Sequence, residues 1–401
     1  MKNTFLAILT VVMLCGGCSP YRTTSGDEIP VIDVRSAIQH ESYFSMKDDV
    51  KSIEYIPLET TDECLISNII DLKGDDNYLF IHNGKTNETL AFNRQGKFIR
   101  KIGQAGQGPG EYAPSSISSI SLDAEKKEIY LNRGTAPALI FSYQGDYLRK
   151  DTTASKGIGQ RHSLKNGVWA LAGTHFTPKQ NSPWLLALQD NHNQLIETKS
   201  VFPASIPDNV AYMKEIQLTP FEKSAIAFTP CCDTLFRATP SGIEPAYIYD
   251  RKNGEEYYNL IADIRDLQLN KAENSSTIEL FSFFETSNYI YFRAIKKSNP
   301  DKIYFQRLDK KSGVFLSQSI PQDFIDVSRG FSDGCVVGLK NDIDNGAPIC
   351  PNFVYKDKAC MQIINATTLQ KLRDKGYLKN SPKVLNVDEL DNPIVILYHF
   401  K

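Results

Sequence analysis

Histidine and tryptophan are scarce in this chain, with six and two of 401 residues, and HExxH, GxSxG and EF-hand patterns are absent. These absences leave no sign of a zincin helix, a hydrolase nucleophile elbow or the common calcium loop. Charge of either sign is not in excess either: 45 basic side chains stand against 47 acidic ones. Such a balance gives no electrostatic reason to expect nucleic acid or an anionic lipid surface as a partner. Apolar runs are short as well. The longest near the start, Phe5 to Leu14, is half of the roughly 20 residues that a membrane-crossing helix needs.

What the chain does have is a repeat. Leu90-Ala91-Phe92-Asn93-Arg94-Gln95-Gly96-Lys97-Phe98-Ile99-Arg100-Lys101 is echoed by Leu139-Ile140-Phe141-Ser142-Tyr143-Gln144-Gly145-Asp146-Tyr147-Leu148-Arg149-Lys150. Each copy reads as strand, glycine turn, strand. A β unit recurring every 40–50 residues or so is the mark of a propeller blade, which must stack on neighbours to bury its faces. Six blades account for the length, and the 21 Phe and 19 Tyr suit a β-rich core. The expectation is an all-β fold, a six-bladed β-propeller with short helical insertions.

Alternation and turn residues place the strands. Blade 1 is expected from Ile66–Leu72, Tyr78–His82, Thr89–Asn93 and Lys97–Ile102, and blade 2 from Ile117–Asp123, Glu128–Asn132, Ala138–Tyr143 and Tyr147–Lys150. Blade 3 takes Val168–Ala172, Trp184–Leu188 and Leu195–Ile196, and blade 4 takes Ala225–Thr229, Thr234–Ala238 and Ala246–Tyr249. Blade 5 follows from Ile278–Phe284, Tyr289–Arg293, Lys302–Leu308 and Val314–Ser317. The sixth is assembled from Gly334–Leu339 and Ile394–Phe400, with Ile53–Leu58 pairing into it to close the ring. Tyr257–Leu267 and Met361–Lys375 have helical spacing and read as insertions.

The N-terminus is an address. Met1-Lys2, the apolar run and Cys15-Gly16-Gly17-Cys18-Ser19 fit a secretory signal. The last of these resembles a bacterial lipobox, although Cys15 stands where Leu is expected; an ordinary cleaved signal with a stray thiol is the other reading. The resemblance implies cleavage before Cys18 and its acylation, so the domains are a signal peptide (1–17), a tether and N-terminal segment (18–45) and the propeller (46–401). Cleavage removes Lys2 and leaves 44 basic against 47 acidic side chains. Among the six cysteines after Cys18 no pair has CxxC spacing, so structural thiols or one or two disulfides are expected rather than zinc. Cys335, Cys350 and Cys360 are near enough in sequence for a local bridge.

Pro57-Leu58-Glu59-Thr60-Thr61, Gly106-Gln107-Gly108-Pro109-Gly110-Glu111-Tyr112, Cys232-Asp233-Thr234-Leu235-Phe236 and Asn392-Pro393-Ile394-Val395 resemble the six-bladed β-propeller lipoproteins of Bacteroides-like bacteria. The blades are also similar to NHL repeats. The resemblance implies a fold and an envelope location, with no reaction attached.

The glycine run Gly103, Gly106, Gly108, Gly110 lacks the strand-to-helix setting of a phosphate cradle, and a blade-to-blade turn is expected. Asp342-Ile343-Asp344-Asn345-Gly346 lacks a downstream acid at calcium-loop distance and reads as an Asx-rich turn. Connections between blades share a face with those joining second and third strands. Ends of second strands then nominate His82, Arg133, His175 and Arg293 for ligand binding, and the blade-linking turn adds Glu111 and Tyr112. Such groups hold a carboxylated or hydroxylated ligand by charge-assisted hydrogen bonds and stacking; as plain structure they solvate loops and tie blades together.

Three functions follow. The favoured one is a non-catalytic propeller, held at a membrane by lipid on Cys18 and binding a glycan, peptide or protein, with no cofactor. The alternative is an envelope hydrolase or lyase with a metal in the central channel, as in other propellers, which is an argument from fold alone. A sensor or chaperone-like partner of an outer-membrane complex is the third.

Overall fold

A computed structural model describes residues 29–133, 136–151, 158–164, 166–173, 186–199, 217–228, 233–251, 278–296, 299–320, 338–356 and 359–401. Six antiparallel sheets of four strands each form the blades, one of them extended by a fifth strand. Blade 1 runs from inner to outer strand through Ile69–Gly74, Tyr78–Asn83, Glu88–Asn93 and Phe98–Ile102. Blade 2 is Ser119–Asp123, Glu128–Arg133, Ala136–Ser142 and Tyr147–Lys150; blade 3 is Ile158–Ser163, Trp169–Gly173, Leu186–Gln189 and Leu195–Lys199. Blade 4 is Gln217–Phe221, Ser224–Phe228, Thr234–Thr239 and Gly242–Asp250, and blade 5 is Ile278–Glu285, Tyr289–Lys296, Asn299–Asp309 and Phe315–Ser319. The expected β-propeller is therefore present, with inner strands abutting around a common axis.

Apolar alternation explains why the sheets stack. Leu79, Ile81, Leu90 and Phe92 of blade 1 are fully buried against Met361, Val395 and Leu397 of blade 6. The opposite faces of the same strands turn Phe80 and Ala91 towards Ile129, Leu131 and Leu139 of blade 2. Each sheet thus lends one face to each neighbour, and a single blade would leave both exposed.

Local chemistry sets the turns at one face. Asp75, Asp123, Asp190 and Asp309 each accept two backbone amides two to four residues ahead, at 2.8–3.1 Å. These are Asx turns, in which a side-chain acceptor closes the bend. The repeat noted in the sequence adds two more: Asn93 Oδ1 accepts from Gln95 and Lys97, and Ser142 Oγ accepts from Gln144 and Asp146. Their glycines are left-handed, Gly96 with φ +79° and Gly145 with φ +92°.

Ring closure joins the two ends of the chain. Blade 6 runs Phe353–Lys356, Ala359–Ile364, Ile394–Phe400 and, outermost, Val50–Pro57. The N-terminal strand pairs antiparallel with the C-terminal one, from Val50↔Phe400 to Pro57↔Ile394, as expected for Ile53–Leu58. Two expectations for this blade are corrected. Leu339 forms only an isolated bridge to Ile349 and supplies no blade strand; residues 334–337 lie outside the described ones. Met361 to Ile364 are strand, and only α2, Ala366–Asp374, is helical in that segment. The short apolar run Met361-Gln362-Ile363-Ile364 has no periodicity able to separate strand from helix. Cys64, Cys350 and Cys360 carry free thiols, so Cys350 and Cys360 are not bridged; Cys335 and the helical expectation at 257–267 lie outside the described residues.

Residues 31–48, most of them assigned to the tether segment by sequence, form a strap across three blades. Val31–Asp33 adds in parallel to the outer strand of blade 4. Helix α1, Val34–Gln39, is capped by Asp33 Oδ1, which accepts the Ser36 amide at 3.0 Å. The chain then descends the edge of blade 5, where Glu41 pairs with Lys302 at 2.5 Å and Asp48 with Arg307 at 2.8 Å.

Candidate functional site

Strand order makes the two faces of the ring unequal. First-to-second and third-to-fourth strand connections are the tight turns just described. Among them are residues 75–77, 124–127, 143–146, 222–223 and 286–288. From the other face depart the links between blades and between second and third strands, including 58–68, 103–118, 338–352 and 365–393. Functional residues concentrate where long connections sit on a rigid scaffold. That face is the candidate site.

Its glycine-rich link is organised by a carboxylate. Gln104-Ala105 pairs in parallel with Glu111-Tyr112. Glu111 Oε2 accepts the Gly108 amide at 2.7 Å and Oε1 accepts from Gln104 Nε2 at 2.6 Å. The Gly108 bond and the Gln104 bond hold the Glu111 carboxyl below its ordinary pKa. Amides that would face a phosphate in a cradle face this side chain instead. Tyr112 is buried and its hydroxyl donates to Asn87 O at 2.8 Å.

Second strands place single polar residues behind the face. His82 is buried, with Nδ1 3.0 Å from Thr89 Oγ1. Burial, opposed by nearby Asp71, pushes its pKa down to about 4, so the ring is neutral at pH 7. Thr89 also lies beside the Tyr112 hydroxyl, so it neighbours both of these nominated residues. Arg293 is buried in blade 5, donating to Cys350 Sγ at 2.8 Å and to Ser282 Oγ. Arg133, half-buried at the end of its strand, donates from Nε to Pro137 O at 2.8 Å. Of the six nominated residues, His82 and Tyr112 come together, Arg133 and Arg293 stand in blades 2 and 5, and His175 lies outside the described residues.

Several polar residues went unnoticed in the sequence. Asn132, in the blade 2 position equivalent to His82, donates to Ser119 and Ser121 and accepts from Arg161 Nε at 3.1 Å. Arg161 pairs with Asp151 at 2.7 Å and lies 4.9 Å over the Tyr130 ring. In blade 6, Gln362 Oε1 accepts from the Cys350 amide and the Tyr398 hydroxyl, while its Nε2 donates to Pro348 O. The signal was available: Leu79-Phe80-Ile81-His82, Ile129-Tyr130-Leu131-Asn132 and Ile290-Tyr291-Phe292-Arg293 each end an apolar triplet on one polar residue. On the inner strands, His162 is also held neutral, its pKa lowered to about 4 by burial and by Lys73.

Asn341–Gly346 is an Asx turn. Asp344 accepts from Gly346 N, Asn341 Nδ2 and Tyr55 Oη at 2.7–3.1 Å. Among the described residues no three His, Cys, Asp or Glu side chains gather as metal ligands would, and no helix is long and apolar enough to cross a membrane.

The family model for a domain of unknown function, DUF4934, matches residues 29–399. No curated protein matches. A crystal structure of a Bacteroides fragilis protein described as exported is similar at 20% identity and TM-score 0.63, over 87% of this chain and 95% of that one. A DUF4221 family member from Bacteroides vulgatus is 11% identical, with TM-score 0.49, over 88% and 97%. A Bacteroides thetaiotaomicron protein of unknown function is 8% identical, with TM-score 0.43, over 87% and 76%.

Proposed function

The chain belongs to the DUF4934 family, and we propose that it is a lipid-anchored envelope propeller that binds a ligand or partner through its long-connection face and performs no chemistry. The observation that carries this reading is the division of labour between the faces. One face is closed by turns that satisfy their own polar groups, and the other carries the variable-length connections. The nominated residues support binding rather than catalysis, because each polar group present is committed to its neighbours: His82 to Thr89, Arg293 to Cys350, Glu111 to Gly108. None forms a nucleophile–base pair. In this reading Arg133 and Glu111 meet the ligand, while His82, Tyr112 and Arg293 form the wall behind, and His175 stays a candidate from the sequence alone.

Export and acylation at Cys18 rest on the leader and on likeness to a protein described as exported. Pro30 O accepts the Ile248 amide at 2.8 Å, so the tether meets the outer edge of blade 4. The strand Val31–Asp33 pairs in parallel with Ile248–Asp250, the last three residues of that outer strand.

Two experiments test the reading. Labelling with a fatty acid analogue is expected to mark wild type and to fail on Cys18→Ala; equal labelling refutes the anchor. A thermal-shift screen of glycans, peptides and divalent metals, with and without chelator, is expected to find a stabilising ligand. At 100 times its dissociation constant a ligand adds about 2.7 kcal/mol. Stabilisation by a metal that chelator abolishes would favour the hydrolase or lyase alternative instead.

A further inference from the structure

Two long connections meet where blade 6 joins blade 1, and one side chain fastens them. Asn392, buried near the end of the 365–393 connection, donates from Nδ2 to Glu59 O at 2.6 Å and to Cys64 O at 2.9 Å. Its Oδ1 accepts the Ile66 amide at 2.8 Å, and its own amide donates to Thr60 Oγ1 at 2.8 Å. Just before it, residues 388–391 close a turn. The Asp391 amide donates to Asp388 O at 3.0 Å, and Asp391 Oδ2 accepts the Asp388 amide at 2.8 Å. Asn83 Nδ2 and the Gly84 amide tie Leu65 O and Asn68 O to blade 1.

This fixed backbone holds aliphatic side chains out in water. Leu390, in the turn, is 90% exposed, and Leu65, between the two residues that Asn392 bonds, is 48% exposed. Ile70, 43% exposed, lies against Gly84. Single exposed leucines are ordinary, but these stand on two connections that a buried amide joins. Asp62, Glu63, Asp388 and Glu389 are exposed on the same two segments, and neither 58–70 nor 386–393 contains Lys, Arg, His or an aromatic residue. Lys85 follows Gly84, and Lys97 follows Gly96, whose carbonyl takes the Glu59 amide; with both counted, the acids remain in excess. The lysines at 371, 375, 379 and 383 precede the turn on a stretch rooted elsewhere. Leu378 and Leu385 pack in the core between blades 5 and 6, whereas Leu58 and Cys64 pack in the core between blades 6 and 1.

We propose that this junction docks a protein partner through an exposed segment that carries aliphatic and basic side chains. The inference deepens the binding reading above and rests on it. Exposed aliphatic side chains leave water only against another apolar surface, and the four carboxylates select a cationic rim around it. The same carboxylates repel an anionic lipid surface, and these two segments hold no ring on which a sugar could stack.

The test uses residues 18–401 with Cys18→Ala, which carry no acyl chain, and short fluorescent peptides read by anisotropy. The peptides alternate Leu with Lys, Ser with Lys, or Leu with Glu, and phosphatidylglycerol vesicles form a fourth arm. The Leu–Lys peptide is expected to bind about tenfold more tightly than the other two, and vesicles are expected not to sediment the chain. Leu65→Ser with Leu390→Ser should weaken the Leu–Lys peptide about tenfold at every salt concentration. Asp62→Asn with Glu63→Gln, Asp388→Asn and Glu389→Gln should weaken it mainly at low salt, where exposed charges are least screened. Unchanged melting temperatures show that both variants are folded. Wild-type affinity in the Leu→Ser variant overturns the proposal. So does equal binding of the Ser–Lys or Leu–Glu peptide, sedimentation with vesicles, or self-association that Leu390→Ser abolishes. If no peptide binds while a ligand from the thermal-shift screen stabilises the chain, this inference falls and the binding reading stands.

Discussion

Arg161, on the inner strand of blade 3, donates to the Asp151 carboxylate at the end of blade 2 across 2.7 Å, with both side chains 5% exposed or less. Asn132 accepts from the same guanidinium, so one cation joins two blades behind the candidate face.

Removing that cation leaves a buried carboxylate without its ion pair. Arg161→Ala is expected to destabilise the chain by about 3–5 kcal/mol, read as a lower urea midpoint. An apolar replacement of both partners, Arg161→Met with Asp151→Leu, should cost less, because no charge is then stranded. Equal losses in the two variants would mean that packing, not charge, dominates the site.

The repeated glycines separate two effects. Both are left-handed, so alanine at either position is strained by about 1 kcal/mol. At Gly96, however, an added Cβ would lie 1.9 Å from Pro57 O, whereas at Gly145 the nearest atom, Lys101 O, is 3.2 Å away. Gly96→Ala should therefore lower the melting temperature more than Gly145→Ala. The reverse order would contradict the tight seat of blade 1 on the closing strand.

Blades 1, 2 and 5 were legible because glycine and Asx turns punctuate regular alternation. Blade 6 was not. Its inner strand is four residues long, and its second, Ala359–Ile364, has too little alternation to tell strand from helix. Val31-Ile32-Asp33 gave no signal either, since a three-residue strand is defined by the edge it meets. Of the site, the residue types were readable but their partners were not. Nothing in the sequence links Arg293 to Cys350, or Asn392 to the backbone of Glu59, Cys64 and Ile66. Those bonds exist only once the ring is closed.

His82 gives a pH dependence of defined sign. Its folded pKa of about 4 lies below the ordinary 6.5 because burial disfavours the charged ring. Between those values the unfolded chain binds a proton that the folded chain does not, so stability falls as pH drops from about 6.5 to about 4. His82→Gln should flatten that fall in urea midpoint relative to wild type. A parallel pair of curves would show that His82 titrates alike in both states.

The most direct test of the binding face is site-specific photo-crosslinking in living cells. A photoreactive residue at Leu65 or Leu390, exposed on the long connections, is compared with one at Lys126 or Glu222 on the tight turns. The account predicts adducts from the first pair and none from the second. Adducts confined to Lys126 and Glu222 would contradict it.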